Sequence, residues 1–455
     1  MAASSQEKGS LDLSRNLSGR QVSVPDLIRL SRTSVQSPVR CLNLSGTAIK
    51  QNLSLILFPG NKLERLILRN CSLTDPSGEL DTKHLREIDL SGNPELSSST
   101  INRLIDGLEI VSLSDCPVTV KFPNTIKNLT LTNYQGLNKI PWPQLTHLNL
   151  ANNDLSSQFE ELCSLLVTGI NLTHLDLSRT KLTPSQLKTV TDFIPRSVRY
   201  LSVSETSFKD LFCLTALNLN ELTLHQVKSD HYSNRKFVTE INVKKLTLHS
   251  CLIDSGDLKL LGRDHSIPEI ELVDCWLDHF SILIDRMIEM KTKKFSLSYS
   301  DNYPWQYRID YIAEQWTQQL IELIRLGTLD TLSLINFKFE LSSLTDQLVL
   351  NQSVRHLIFR KNKIKSIHPI MEMLEFNRTL VTIDLSGNKV VCSRAYLKSL
   401  IDNNIIQEIK NDSLGINRRI EPLLICNRLY SKIDHSLKST VDLATDKQSI
   451  LKELR

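Results

Sequence analysis

Glycine is scarce in this chain, with 14 among 455 residues. None of them forms a Gly-x-x-x-x-Gly-Lys loop or a Gly-x-Gly-x-x-Gly turn, the backbone cradles that nucleotide phosphates need, and no His-Glu-x-x-His pair is present to hold a catalytic zinc. Long apolar runs are lacking too. Nowhere do 18 or more apolar residues follow one another, so no membrane-spanning helix is expected. A charge excess is missing, since 54 Lys and Arg stand against 50 Asp and Glu, and a formal +4 points to neither nucleic acid nor an anionic membrane as partner. Cysteines number nine, an odd count, spread singly from Cys41 to Cys426 without clusters at either end, which argues against a disulfide framework. The N-terminus has no basic segment leading into an apolar one, so the expected location is cytoplasmic. No cofactor and no metal are expected.

What the chain has is a repeat. The pattern apolar-x-x-apolar-x-apolar recurs sixteen times from Val39 to Ile406, for example at Leu63, Leu66 and Leu68 and at Leu145, Leu148 and Leu150. The first and last starts lie 367 residues apart over fifteen steps, about 24 residues each. Of the 48 slots so defined only Thr292 and Asn411 are polar, against 40% apolar residues in the whole chain. Alternation within each motif reads as a strand with its apolar residues inward and the intervening ones outward. The ninth position holds a small polar or thiol residue in twelve repeats: Thr47, Cys71, Asn93, Cys116, Asn153, Thr180, Thr206, Cys251, Cys275, Ser300, Asn362 and Asn388. Such a residue is expected to satisfy backbone groups where the chain leaves the strand, and the thiols are read as buried and structural. Tyr134, Val227, Phe337 and Leu414 depart from this rule.

Return segments differ in length. Thr183-Pro184 reads as cap and first residue of a helix running to Phe193, with similar segments over 99–106, 159–167 and 394–401. Steps of 18 and 19 residues carrying Pro123, Pro141 and Pro143 leave room only for extended or 3-10 turns.

Repeats such as Leu172-Thr-His-Leu-Asp-Leu-Ser-Arg-Thr-Lys-Leu and Leu380-Val-Thr-Ile-Asp-Leu-Ser-Gly-Asn-Lys-Val resemble the leucine-rich repeat superfamily, in its ribonuclease-inhibitor-like cytosolic branch with helical convex segments and no cysteine caps. The resemblance implies an α/β leucine-rich repeat solenoid, a horseshoe of about sixteen repeats, with parallel strands on the concave face. It also implies a non-enzymatic scaffold or adaptor that binds another protein, with no nucleic acid, membrane or small-molecule cofactor. The expected organisation is a flexible N-terminus and cap over 1–38, the repeat domain over 39–427, and a C-terminal cap and tail over 428–455. Residues 1–20 are expected to be flexible.

On the concave face the candidate binding residues are Arg65, Arg69, His147, His174, Tyr200, Glu221, His225, His249, Glu269 and Glu271. His147 beside His174 and His225 beside His249 suggest a metal or pH-sensing site; two ligands fall short of the three or four zinc normally takes, so they are read as part of a protein contact surface. A second candidate is the 37-residue repeat after Thr292, where Tyr303, Trp305 and Tyr307 precede an expected helix over 308–326 that packs Trp316, Leu320 and Ile324 inward. The alternatives are a GTPase-activating protein of the Ran type, with Arg69 or Arg179 as the inserted arginine, and a substrate-recognition or immune-sensing subunit.

Overall fold

The computed structural model describes residues 10–12, 39–116, 120–134, 136–204, 210–227, 239–301, 306–337, 339, 341–390, 399–412 and 414–431. The chain divides into two compact units, residues 1–206 with 216–219, and residues 207–215 with 220–455.

In the first unit each repeat motif forms a short strand: β1 (Ser10–Asp12), β2 (Cys41–Asn43), β3 (Arg65–Ile67), β4 (Glu87–Asp89), β5 (Ile110–Ser112), β6 (Asn128–Thr130), β7 (His147–Asn149), β8 (His174–Asp176) and β9 (Tyr200–Ser204). All pair in parallel with the next in sequence, and one column of buried residues runs through them in register: Leu42, Leu66, Ile88, Val111, Leu129, Leu148, Leu175 and Leu201. Burial of each such side chain contributes about 2 kcal/mol, so the column fixes the register. β1 is a departure from the flexible segment expected over 1–20: Leu11 aligns with Leu42 and extends the apolar column by one residue. Helices α1 (Ser98–Ile105), α2 (Phe159–Leu166) and α3 (Pro184–Phe193) bury the faces containing Leu104, Leu162 and Leu187. Thr183 caps α3 in a reciprocal box with Gln186, as its position before Pro184 predicts. The short repeats use 3-10 turns at Leu137–Lys139 and Trp142–Gln144.

The second unit repeats the scheme with β10 (Glu221–His225), β11 (Lys245–His249), β12 (Leu252–Ile253), β13 (Glu269–Val273), β14 (Trp276–Leu277), β15 (Lys294–Ser298), β16 (Thr331–Ile335), β17 (His356–Ile358), β18 (Thr382–Asp384) and β19 (Glu408–Lys410). β12 and β14 pair with each other, and the rest pair in parallel in chain order. Behind them lie α4 (Ser255–Leu260), α5 (Phe280–Glu289), α6 (Gln306–Leu326), α7 (Leu341–Leu348), α8 (His368–Phe376), α9 (Ser399–Asp402) and α10 (Leu414–Ser431). Trp316, Leu320 and Ile324 of α6 are buried as their spacing predicts, with Trp316 stacked on Phe280 at 4.2 Å between ring centroids.

Two polar ladders close the turns. At the ninth position Asn93 accepts the N–H groups of Cys71 and Leu73 and donates to the carbonyls of Leu68 and Leu90; Asn153, Asn362 and Asn388 do the like in their repeats. Where cysteine replaces asparagine its thiol donates to the same kind of carbonyl, Cys71 to Leu44 and Cys275 to Leu248. Ser300 does not fill that slot: it is exposed, and Tyr299 is buried beside it with its hydroxyl donating to the Cys275 carbonyl. The long repeat thereby shifts by one residue to bury the larger ring. The second ladder sits where helices end. Asn351, Asn377 and Asn403 donate to the carbonyls of Ile324, Leu348 and Leu374, and each accepts the N–H of the residue that opens the next repeat.

The residue before the ninth position is left-handed in most described repeats, with φ of 52° to 60° at Asn70, Asp115, Asn133, Asn152, Arg179, Gln226, Ser250, Asp274, Asn336 and Lys361. Gly92 occupies it where space is lacking, since a Cβ there would meet the Asn70 side-chain oxygen at 2.0 Å.

Candidate functional site on the strand faces

Register places the outward candidates of the first unit in rows. In the row that opens the strands, His147 stacks on His174 and His174 on Tyr200, each pair at 3.8 Å between centroids and within 16° of parallel. The hydroxyls next to the imidazoles hold them through Nδ1. Thr173 Oγ1 lies 2.8 Å from His174 Nδ1, and Thr146 Oγ1 lies 2.9 Å from His147 Nδ1. Both rings are half-buried, with their Nε2 edges outside these two contacts. Burial lowers the pKa of both histidines, and the neighbouring His147 charge lowers that of His174 further, so the neutral form dominates near neutral pH.

Elsewhere on this face two candidate arginines are paired within the chain. Arg65 pairs with Glu87 at 2.8 Å, and Arg69 pairs with the buried Asp89. A GTPase-activating arginine must be free to enter the nucleotide site, and Arg69 is not. Arg179 is exposed just beyond β8 with a left-handed backbone and has no ion pair among the described residues.

In the second unit His225 stacks on His249 at 5.0 Å. Lys245 lies between Glu269 and Glu271, at 3.5 and 2.9 Å, and Lys294 reaches Glu269 at 3.4 Å. Burial pulls the Lys245 pKa down, but its hydrogen bond to Glu271 and the charges of Glu271, Glu269 and Glu221 outweigh it and hold the ammonium above its ordinary value. These candidates form a mutually neutralised cluster.

No group of three or more His, Cys, Asp and Glu side chains among the described residues is placed to hold a metal. The His147 and His174 rings stand nearly parallel and side by side instead of converging on one point. In the aromatic repeat, Tyr303 and Trp305 lie outside the described residues, whereas Tyr307 belongs to the first turn of α6 instead of preceding it. The apolar spacing of Ile309, Ile312 and Trp316 carries the helix that far forward. Among the described residues no helix is long and apolar enough to cross a membrane.

Sequence reasoning placed Asp176 and Asn149 in the outward rows but not among the binding candidates. Asp176 Oδ1 accepts the Ser178 N–H at 2.9 Å, and its other oxygen pairs with no basic side chain among the described residues. The signal was present in the sequence: Ala151 stands on the preceding strand where an arginine stands next to Asp89.

A family model for the leucine-rich repeat matches residues 144–165, one turn of the array. Its recurring parallel strands and asparagine ladder make each unit an α/β solenoid of the leucine-rich repeat kind. Comparison with curated proteins finds no match. Among solved structures it is similar to a chain of a TLR13–ssRNA13 complex, at 16% identity over 84% of this chain and 64% of that one, with a TM-score of 0.44. A mouse RP105/MD-1 complex gives 15% identity over 84% and 81%, TM-score 0.40. LegL7 from Legionella pneumophila gives 14% over 77% and 92%, TM-score 0.28. Likeness this loose speaks to neither ligand nor partner.

Proposed function

We propose that the chain is a non-enzymatic binding scaffold that takes another protein on its strand face, in the manner of a cytosolic adaptor. The observation that supports this most is the His147–His174–Tyr200 row. Three half-buried rings are held rigidly by stacking and by Thr146 and Thr173, yet their polar edges are left for a visitor. Rigid aromatic residues with an open polar edge lose little entropy on contact, which is why a few of them carry most of an interface's affinity. The cluster around Lys245 in the second unit is read as a surface that aids steering more than affinity.

The test is affinity capture from the native cell's lysate with wild type and with the triple variant His147→Ala, His174→Ala, Tyr200→Ala. A protein held by wild type and lost with the variant, at unchanged thermal stability, supports the reading. Unchanged capture moves the binding site away from this face.

A further inference from the structure

Three repeats end their strand in the same way, with an aspartate followed by Leu-Ser: Asp89, Asp176 and Asp384. In each, Oδ1 accepts the serine N–H two residues on, at 3.0, 2.9 and 2.9 Å. At two of the three the remaining oxygen holds an arginine from the preceding strand. Arg69 Nε pairs with Asp89 Oδ2, and Arg360 Nε donates to Asp384 Oδ2 at 2.8 Å. Both arginines stand two residues beyond the in-register partner of the aspartate, Ile67 for Asp89 and Ile358 for Asp384. At the third, the in-register partner is Asn149, and two residues beyond it stands Ala151. Exposure follows the same division: Asp89 and Asp384 are 4% and 6% exposed, whereas Asp176 is half-buried.

We infer that this place in the first unit receives an arginine side chain from a partner polypeptide, whose guanidinium takes the position that Arg69 and Arg360 fill at the sister sites. The inference rests on the strand-face reading and names the chemistry of its partner. A guanidinium carries five N–H donors and no acceptor. Asp176 Oδ2 is an acceptor of the matching kind, and the neutral rings of His147 and His174 place no competing positive charge beside it. The ring row and Asp176 lie on the same outward face of β8, two residues apart.

Occupancy then depends on neutral imidazoles. Protonation of His147 and His174 places positive charge against the guanidinium. Of the other charged groups on the surrounding strands, Lys127 is paired with Glu109, and Arg199 donates to the carbonyls of Arg196 and Val198. Arg179 follows β8 and is exposed. Imidazole is the side chain that ordinarily changes charge between about pH 5 and 8, so the histidines govern that window.

The test uses the full chain with 13C-labelled histidine, followed by NMR at about pH 7.5 while N-acetyl-arginine methylamide is added. The expected result is movement of the His147 and His174 ring signals, assigned by single His→Gln variants, with arginine but not with its uncharged citrulline analogue. Ala151→Arg, which supplies the side chain in cis, and Asp176→Asn, which keeps the bond to Ser178, are each expected to weaken the effect about tenfold or more. Lowering the pH to about 5 should remove it. Equal response to citrulline, indifference to both substitutions, or tighter binding at low pH, as an anion would show, overturns the inference. A captured partner that is lost with the triple ring variant but kept by Ala151→Arg and Asp176→Asn would leave the scaffold reading standing and sink the arginine alone.

Discussion

Asn93 and Thr47 occupy the same slot two repeats apart, and their bonding is opposite. Asn93 is fully buried and joins backbone groups of two repeats, whereas the buried Thr47 hydroxyl has no hydrogen-bond partner among the described residues. Leaving buried amides unpaired costs about 1–3 kcal/mol each, less where the structure relaxes. Asn93→Ala is therefore expected to destabilise the chain by about 3 kcal/mol, and Thr47→Val to leave stability within about 0.5 kcal/mol of wild type or raise it. Chemical denaturation of the two variants checks both, and equal losses would show that the slot serves shape instead of bonding. Thiols in this slot predict an alkaline transition. Burial pushes Cys71 and Cys116 up to about 11, from 9.0 in the free side chain. Above pH 9 the unfolded thiols ionise while the folded ones do not, so this contribution is present below pH 9 and is lost as pH rises toward about 11. The double variant Cys71→Ser, Cys116→Ser should flatten the fall in melting temperature over that range. An unchanged slope would assign it to other groups.

Elements carry the aromatic seam of the second unit. Trp316 projects from α6 between Phe280 of α5 at 4.2 Å and Phe337 at 6.0 Å, and is 7% exposed. Trp316→Ala is expected to cost about 3–5 kcal/mol, near the upper range for a core truncation. A cost below about 1 kcal/mol, read from urea unfolding, would mean that the helix does not need this anchor. The helical spacing of Trp316, Leu320 and Ile324 made this packing legible in the sequence, as Thr183-Pro184 did for α3. What was not legible has physical reasons. The helix-end ladder of Asn351, Asn377 and Asn403 escaped because an asparagine three residues before a strand motif is also a common loop residue, and only its two-sided bonding across repeats sets it apart. Ser300 was misplaced because period counting cannot foresee that a ring at Tyr299 is worth burying at the expense of register. The ring row was legible in part, as the His147–His174 pair, but the role of Asp176 was not read, since its signal, Ala151 where Arg69 and Arg360 stand, emerges only when three repeats are read against one another across strands instead of along the chain.

At the scale of the whole molecule, backbone bonding between repeats runs to the next one among the described residues. Leu44 donates to Ile67, Leu68 to Asp89, Leu90 to Ser112 and Leu113 to Thr130, so each turn is held by its two neighbours. Stability of such an array is close to a sum of repeat and nearest-neighbour contributions, and a lesion is felt locally. Asn93→Ala removes bonds that join the turns after β3 and β4. Hydrogen exchange followed by mass spectrometry should therefore show faster exchange in peptides covering β3 to β5. Peptides covering β10 to β19 should keep their wild-type rates. A rise of similar size along the entire chain would instead mean that the two units unfold as one cooperative body, and the nearest-neighbour account of this protein would have to be given up.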